Sequence, residues 1–431
     1  MRKLFFILLL FPLFANSLTP IFCCGFECGT ISSAHIALFG TTSFSTTTVR
    51  SGVRSFRSNP NASANACAYH FHTNSTTKVV RVYVRFASLP NANCPLVTLS
   101  TGPLSPIVAF RQSDSKIYPA TYNTTGDVYT FGSTGATITT GIWYRIDMYI
   151  NVSANPWTID VQIDGVALTQ YTVATANTSS SEIYIGHRGN NNVTADMFFD
   201  DLVVSNTAGD YPIGGGYVNH FVPTSDGTHN VAGSNDFERS ATGVDITNAT
   251  TTAYQLIDDI PMEGTGSPTD YINLVAPPNA TDHVECKYGP APGISAPTAG
   301  PRAVEVIVCY GKGTGQGSNN IRLAINDNGT TNDVFNGNVS GTSPAVIYNT
   351  KQYATPPTGG TWNANSSGNG AFKNIRVRCY TSDAAPDPWF ISTMIEAEFQ
   401  EQVTLPHRIK IISKNQSKEK DIYTNASQVG R

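Results

Sequence analysis

The sequence predicts an all-β chain folded as two tandem β-sandwich or jelly-roll domains. Three observations carry this. Charged residues are scarce at 13%, against about 25% in ordinary globular domains, while Thr, Asn, Ser and Gly are abundant, which removes the long charged helix formers. Short runs of period-two apolar alternation recur along the whole length, separated by turn clusters. The chain is also too long, at 431 residues, for one ordinary core.

The clearest alternation lies in GIWYRIDMYINVSANPWTIDVQIDGVALTQ, residues 141–170. Tyr144, Ile146, Met148 and Ile150 share one face, with Arg145 and Asp147 on the other. Ile159, Val161 and Ile163 then repeat the pattern against Thr158, Asp160 and Gln162. Residues 151–156 read as loop, and Asp164-Gly165 supplies the pair that tolerates positive φ in a tight hairpin turn. Upstream, Val80, Val82, Val84 and Phe86 oppose Arg81, Tyr83 and Arg85; downstream, Met197 to Val204 closes the first half. The pattern breaks in TAGDYPIGGGY, so the expected organisation is a first sandwich over 25–208, a linker over 209–216 and a second sandwich over 217–402. In the second half Val304, Val306 and Val308, then Ile321, Leu323 and Ile325, then Ile375, Val377 and Cys379, then Ile395, Ala397 and Phe399 each form one strand face.

The ends read differently. Arg2 and Lys3 precede an apolar run from Leu4 to Phe14, and Ala15-Asn16-Ser17 offers a cleavage site, so residues 1–17 are expected to be a signal peptide. An uncleaved anchor and an upstream start-site error are the competing readings. Residues 403–431 form an expected disordered tail; from Pro406 onward it carries six basic against two acidic side chains, a net +4. Without that tail and the two basic residues of the signal, 19 basic and 29 acidic side chains remain, a body of −10. An acidic body argues against a nucleic-acid partner.

Eight cysteines suit disulfides in a secreted chain, but five fall before the domain boundary and three after it, so neither half closes evenly. Unpaired thiols fit a reducing cytosol, which conflicts with a signal peptide. Cys23-Cys24-x3-Cys28 lacks nearby histidines and the paired spacing of a zinc site. His70 and His72 would project from one strand face, with no third ligand evident. The glycine-rich GKGTGQGS at 311–318 lacks the order of a phosphate-binding loop and reads as a strand connection.

GFECGT, TTTVRSGVRSFRSNP, the strands GIWYRIDMYI and VQIDGVAL and the closing MFFDDLVVSNTAGDYP together resemble the concanavalin A-like lectin/glucanase superfamily in its laminin-G-like form. YVNHFVPTSDGTHNVAGSNDFER, AYQLIDDIP and DYINL in the second half resemble the C-terminal module that follows such a domain in tailed-bacteriophage virion proteins. The resemblance covers residues 25–402. It implies a concanavalin A-like first domain and a structural or receptor-contacting component of a virion surface, whose partners are glycans or cell-surface polysaccharide and other virion proteins, repeated as a homo-oligomer. The signal peptide instead implies a secreted protein.

Catalytic relatives carry Glu-x-Asp-x-x-Glu or Glu-x-Asp-x-Glu on one strand, and neither spacing occurs, so no glycosidase activity is expected. Glu396 and Glu398 share a strand face but sit opposite an apolar face, and read as a solvated outer surface. Asp200-Asp201 would point to opposite faces if extended. Relatives hold sugars at loops on one rim, which places Asn155 and Trp157 in one candidate loop and His187, Arg188, Asn190, Asn191 and Asn192 in another. Trp157 either stacks on a sugar or covers the sandwich end. Some relatives hold calcium with rim carboxylates, for which Asp164, Asp200 and Asp201 are the candidates by position. A secreted glycan-degrading enzyme or a cell-surface adhesin of this fold is the alternative to the virion protein.

Overall fold

A computed structural model describes residues 18–27, 35–100, 104–123, 125–175, 177, 179–231, 237–240, 243–258, 270–275, 281–312, 319–339, 345–380 and 388–401. The expected signal peptide, the basic tail, Cys28 and most of the glycine-rich connection lie outside the described residues. The described chain is nearly all antiparallel β, as the composition predicts.

Two sheets make the first sandwich. In a nine-stranded sheet, Thr77–Ser88 lies between Trp143–Asn151 and Asp196–Ser205, and Trp157–Ile163 follows outside Trp143–Asn151. The hairpin has the expected register, with Ile146 opposite Ile163, Met148 opposite Val161 and Ile150 opposite Ile159. Asp164 and Gly165 turn it at φ of 53° and 84°, the left-handed pair of a tight hairpin. The eight-stranded sheet that faces it centres on two long strands, Asn61–Ser75 and Ser180–Thr194. Val80, Val82, Val84, Met148, Val161 and Phe199 from one sheet meet Ala68, Leu99, Val108, Phe110, Ile183 and Ile185 from the other in a single core.

The second sandwich is one ten-stranded sheet wrapped around its own core. Pro388–Gln400 is its central strand, flanked by Gly216–Asp226 and by Ala303–Lys312. Val304, Val306 and Val308 pack with Ile321, Leu323 and Ile325 from near the other end of the strand order, so the alternating apolar faces read from the sequence all point inward.

The junction departs from the sequence reading. The described residues from Leu18 to Gln400 form one compact unit. Pro20–Cys24, ahead of the expected first domain, pairs with Asp196–Ser205 and lies against the second sandwich. The 209–216 segment is packed: Ile213 is buried, its carbonyl accepts from Arg302, the Gly214 N–H donates to Asp147 at 3.0 Å, and the Tyr211 ring lies 5.5 Å from that of Tyr149. The outward face of the nine-stranded sheet is therefore covered, by Cys23, Val79 and Val203 against Val218 and Ile213. Glu396 and Glu398, expected in solvent, are 0% exposed within this junction. Period-two alternation says which residues share a face; it does not say what covers that face.

Candidate functional site

The other outward face of the first sandwich, that of the eight-stranded sheet, is aromatic. In Asn61–Ser75, Ala68 enters the core and His70 stacks on Phe22 at 3.7 Å, so Tyr69 and Phe71 point out. In Ser180–Thr194, Ile183 and Ile185 point in, so Glu182, Tyr184 and Arg188 point out. The register places Tyr184 directly opposite Tyr69 and Glu182 opposite Phe71. Consequently the Tyr69 ring lies 5.5 Å from Tyr184, stacked, and 5.5 Å from Phe71, edge-on. The Arg188 guanidinium covers Tyr184 at 3.6 Å, and the Tyr184 hydroxyl donates to Glu182 at 2.6 Å. Burial, then that hydrogen bond, pushes the Tyr184 phenol upward. Phe71 is 53% exposed and Phe39, on the neighbouring edge strand opposite Cys67, is 54% exposed.

The row continues across the sheet. Beyond Thr98, opposite Tyr184, come Ile107, Ala109, Ala120 and Tyr122, with Tyr129 and Phe131 packed on them. The Arg111 guanidinium lies 3.9 Å from the Tyr118 ring and pairs with Asp114, whose carboxyl is held down at about 2 by that hydrogen bond. Rings flanked by guanidinium and carboxylate groups can stack on the apolar face of a sugar and hydrogen-bond its hydroxyls.

Of the residues expected at a rim, Arg188 belongs to this face. Trp157 does not: it is 1% exposed, sits in the core and donates from Nε1 to the Thr175 carbonyl at 2.7 Å. His187 is 0% exposed, with Nδ1 3.5 Å from Cys94 Sγ. Asn155 is exposed in the loop before Trp157. Residues 187–192 lie within the Ser180–Thr194 strand instead of a loop, although its ladder is interrupted between Arg188 and Val193; Asn190 and Asn191 are in that interruption and Asn192 is exposed.

The calcium candidates do not converge. Asp164 is in the hairpin turn, accepting from the Arg145 N–H at 2.8 Å. Arg145 is opposite Tyr83 and Tyr83 opposite Asp200, so three strand spacings, about 14 Å, separate Asp164 from Asp200. Asp200 and Asp201 do come together, contrary to the extended-strand expectation, because Asp201 has φ of 55° where the ladder register breaks. Their oxygens are all engaged. Asp200 accepts from the N–H groups of Arg50 and Asp201, each at 2.9 Å, and Asp201 accepts from Ser51 Oγ and Val218 N, each at 2.7 Å, and from Arg50 Nη1 at 2.6 Å. Burial and then the neighbouring Asp201 push the Asp200 carboxyl well up.

The junction holds the densest buried charge. Arg81 Nη1 donates to Glu398 Oε1 at 2.6 Å, and Arg302 grips both oxygens of Glu398, Nε to Oε2 at 2.6 Å and Nη2 to Oε1 at 2.5 Å. Burial works to raise the Glu398 carboxyl, but the two guanidiniums outweigh it and hold it below the usual range. One register step away, His220, Glu396 and Glu305 lie side by side on three adjacent strands, all buried and facing Pro20–Cys24. Among the described residues no guanidinium pairs with these two carboxylates: burial and then Glu305 push Glu396 well up, and burial pushes Glu305 to about 8. The seven described cysteines are all buried and none is in a disulfide.

No protein-family model and no curated protein matches the sequence. Solved structures with some likeness include the cellulose-induced protein Cip1, at 14% identity and a TM-score of 0.36 over 43% of this chain and 97% of that one. Domain 4 of AbnA, a GH43 extracellular arabinanase from Geobacillus stearothermophilus in complex with arabinotriose, gives 13% and 0.30 over 43% and 91%. The CBM22-1-CBM22-2 tandem domain from Paenibacillus barcinonensis Xyn10C gives 10% and 0.24 over 88% and 98%.

Proposed function

We propose that this chain is a non-enzymatic adhesive protein that binds glycans on the aromatic face of its first sandwich, with the second sandwich as a rigid mount. The observation that carries this reading is the contiguous row Phe71, Tyr69 and Tyr184, capped by Arg188 and edged by Glu182. Phe71 and Phe39 add exposed apolar surface to this same sheet face. Sugars fit because Phe71 is exposed and Tyr69 half-buried beside it, backed by the buried Tyr184, while Arg188 and Glu182 supply a donor and an acceptor next to them.

Hydrolysis by the Glu396 and Glu398 pair is disfavoured, since both are sealed inside the junction, where no polymer reaches. The setting that fits the sequence resemblance is a virion surface, in several copies. Peptide mass spectrometry of purified particles against particle-free fluid tests that setting: finding the chain only in the fluid would favour a secreted adhesin. The binding claim is tested by affinity electrophoresis of the full chain in gels containing soluble polysaccharides. Retardation by at least one polysaccharide is expected, weakened about tenfold in apparent affinity by Tyr69→Ala or Phe71→Ala, since truncating an aromatic anchor costs about 1–2 kcal/mol. Retardation that survives both substitutions would place the site elsewhere.

A further inference from the structure

At the junction, three buried polar atoms without hydrogen-bond partners converge. His35 Nε2 lies 3.5 Å from Glu396 Oε2 and 3.9 Å from Glu305 Oε1. The second oxygen of each carboxylate is already used: Glu396 Oε1 accepts from the Gly25 N–H at 3.3 Å, and Glu305 Oε2 accepts from the Cys23 N–H at 2.9 Å and from Gln352. The free oxygens are thus aimed at the imidazole. Cys24 completes the group, its Sγ, a His35 ring nitrogen and a Glu396 oxygen lying within 4.8 Å of one another. All four residues are 0% exposed.

We infer that Cys24, His35 and Glu396, with Glu305 as fourth ligand, form a structural site for a zinc-like divalent cation that ties the two sandwiches together. A thiolate, an imidazole and carboxylates form a ligand set for borderline-soft zinc, whereas calcium takes oxygen ligands only. Ligand atoms about 2.0–2.3 Å from a tetrahedral zinc stand roughly 3.3–3.8 Å apart, so a contraction of about 1 Å closes the site. The outer contacts suit it too. The Phe26 N–H donates to Cys24 Sγ at 3.3 Å from a residue held at φ of 60°, and the Gly25 and Cys23 N–H groups orient the carboxylates. With the Cys24 thiolate and both carboxylates ionised the ligands carry −3, so a dication leaves −1, or zero where one carboxyl keeps its proton, and it gives partners to Glu305 Oε1, Glu396 Oε2 and the His35 ring, which have no hydrogen-bond partner among the described residues. Cys24 and His35 come from the first sandwich and Glu396 and Glu305 from the second, so the ion would be a cross-link.

The test uses the full chain, purified without chelators from zinc-supplemented cells. Elemental analysis is expected to find one zinc per chain, and replacement by cobalt(II) to give a thiolate-to-cobalt charge-transfer band. That band should persist in Cys23→Ser and vanish in Cys24→Ser. Chelation should lower the melting temperature and zinc should restore it. Wild-type protein with no stoichiometric zinc, no cobalt band and a melting temperature indifferent to chelator and to added zinc would overturn the proposal, whatever the folding of the variants.

Discussion

At the scale of single residues, the structure assigns roles that composition alone leaves open. Trp157 is among the largest fully buried side chains, and its indole N–H is satisfied. Trp157→Ala should therefore cost about 3–5 kcal/mol in urea unfolding, the range for emptying an aromatic core site, whereas an exposed stacking residue would cost little. Lys78 gives a pH-dependent readout. Its ammonium donates to the Thr73 carbonyl at 2.8 Å and to Asn206 at 2.5 Å, and burial lowers its pKa to about 7. A folded-state pKa depressed below the unfolded value means the unfolded chain binds the proton more readily. The contribution is full above about 10.4, the unfolded value, and lost as pH falls toward 7. Wild type should gain melting temperature relative to Lys78→Met between pH 7 and 10; parallel curves would show that Lys78 is solvated.

At the scale of elements, the seam between sandwiches rests on Arg81, Glu398 and Arg302. Removing Glu398 strands the fully buried Arg81, so Glu398→Met should destabilise by about 3–5 kcal/mol. Replacing all three with apolar residues of similar volume should recover most of that loss. Equal damage in the single and triple variants, measured by chemical denaturation, would show that packing rather than charge pairing decides. The strands themselves were legible: Ile146 to Ile150 and Ile159 to Ile163 pair as their alternation requires. The aromatic face was not, because in AYHFHT the aromatics face outward and His70 faces in, inverting the usual polarity. His187 to Asn192 read as a loop from composition, yet pairing with Asn61–Ser75 draws that stretch into a strand and leaves only a ladder interruption. The Cys24 cluster was equally hidden: His35, eleven residues on, does reach Cys24 although the sequence reading found no histidine near that cysteine group, and Glu305 and Glu396, hundreds of residues away, join them only through the junction.

At the scale of the whole molecule, the two outward faces of the first sandwich differ. That of the nine-stranded sheet is sealed against the second sandwich, and that of the eight-stranded sheet carries the aromatic row on the opposite side. Under the proposed function, a binding face directed away from its mount suits adhesion, and a buried, charge-locked junction would keep that face from swivelling. The measurement that tests this most directly is a glycan array probed with the full chain and with its Tyr69→Ala/Phe71→Ala double variant, each with and without calcium. A consistent set of glycans bound by wild type, independent of calcium and lost in a double variant that still melts cooperatively, is the predicted result. A blank array for the wild type, or an unchanged pattern in the double variant, would contradict it.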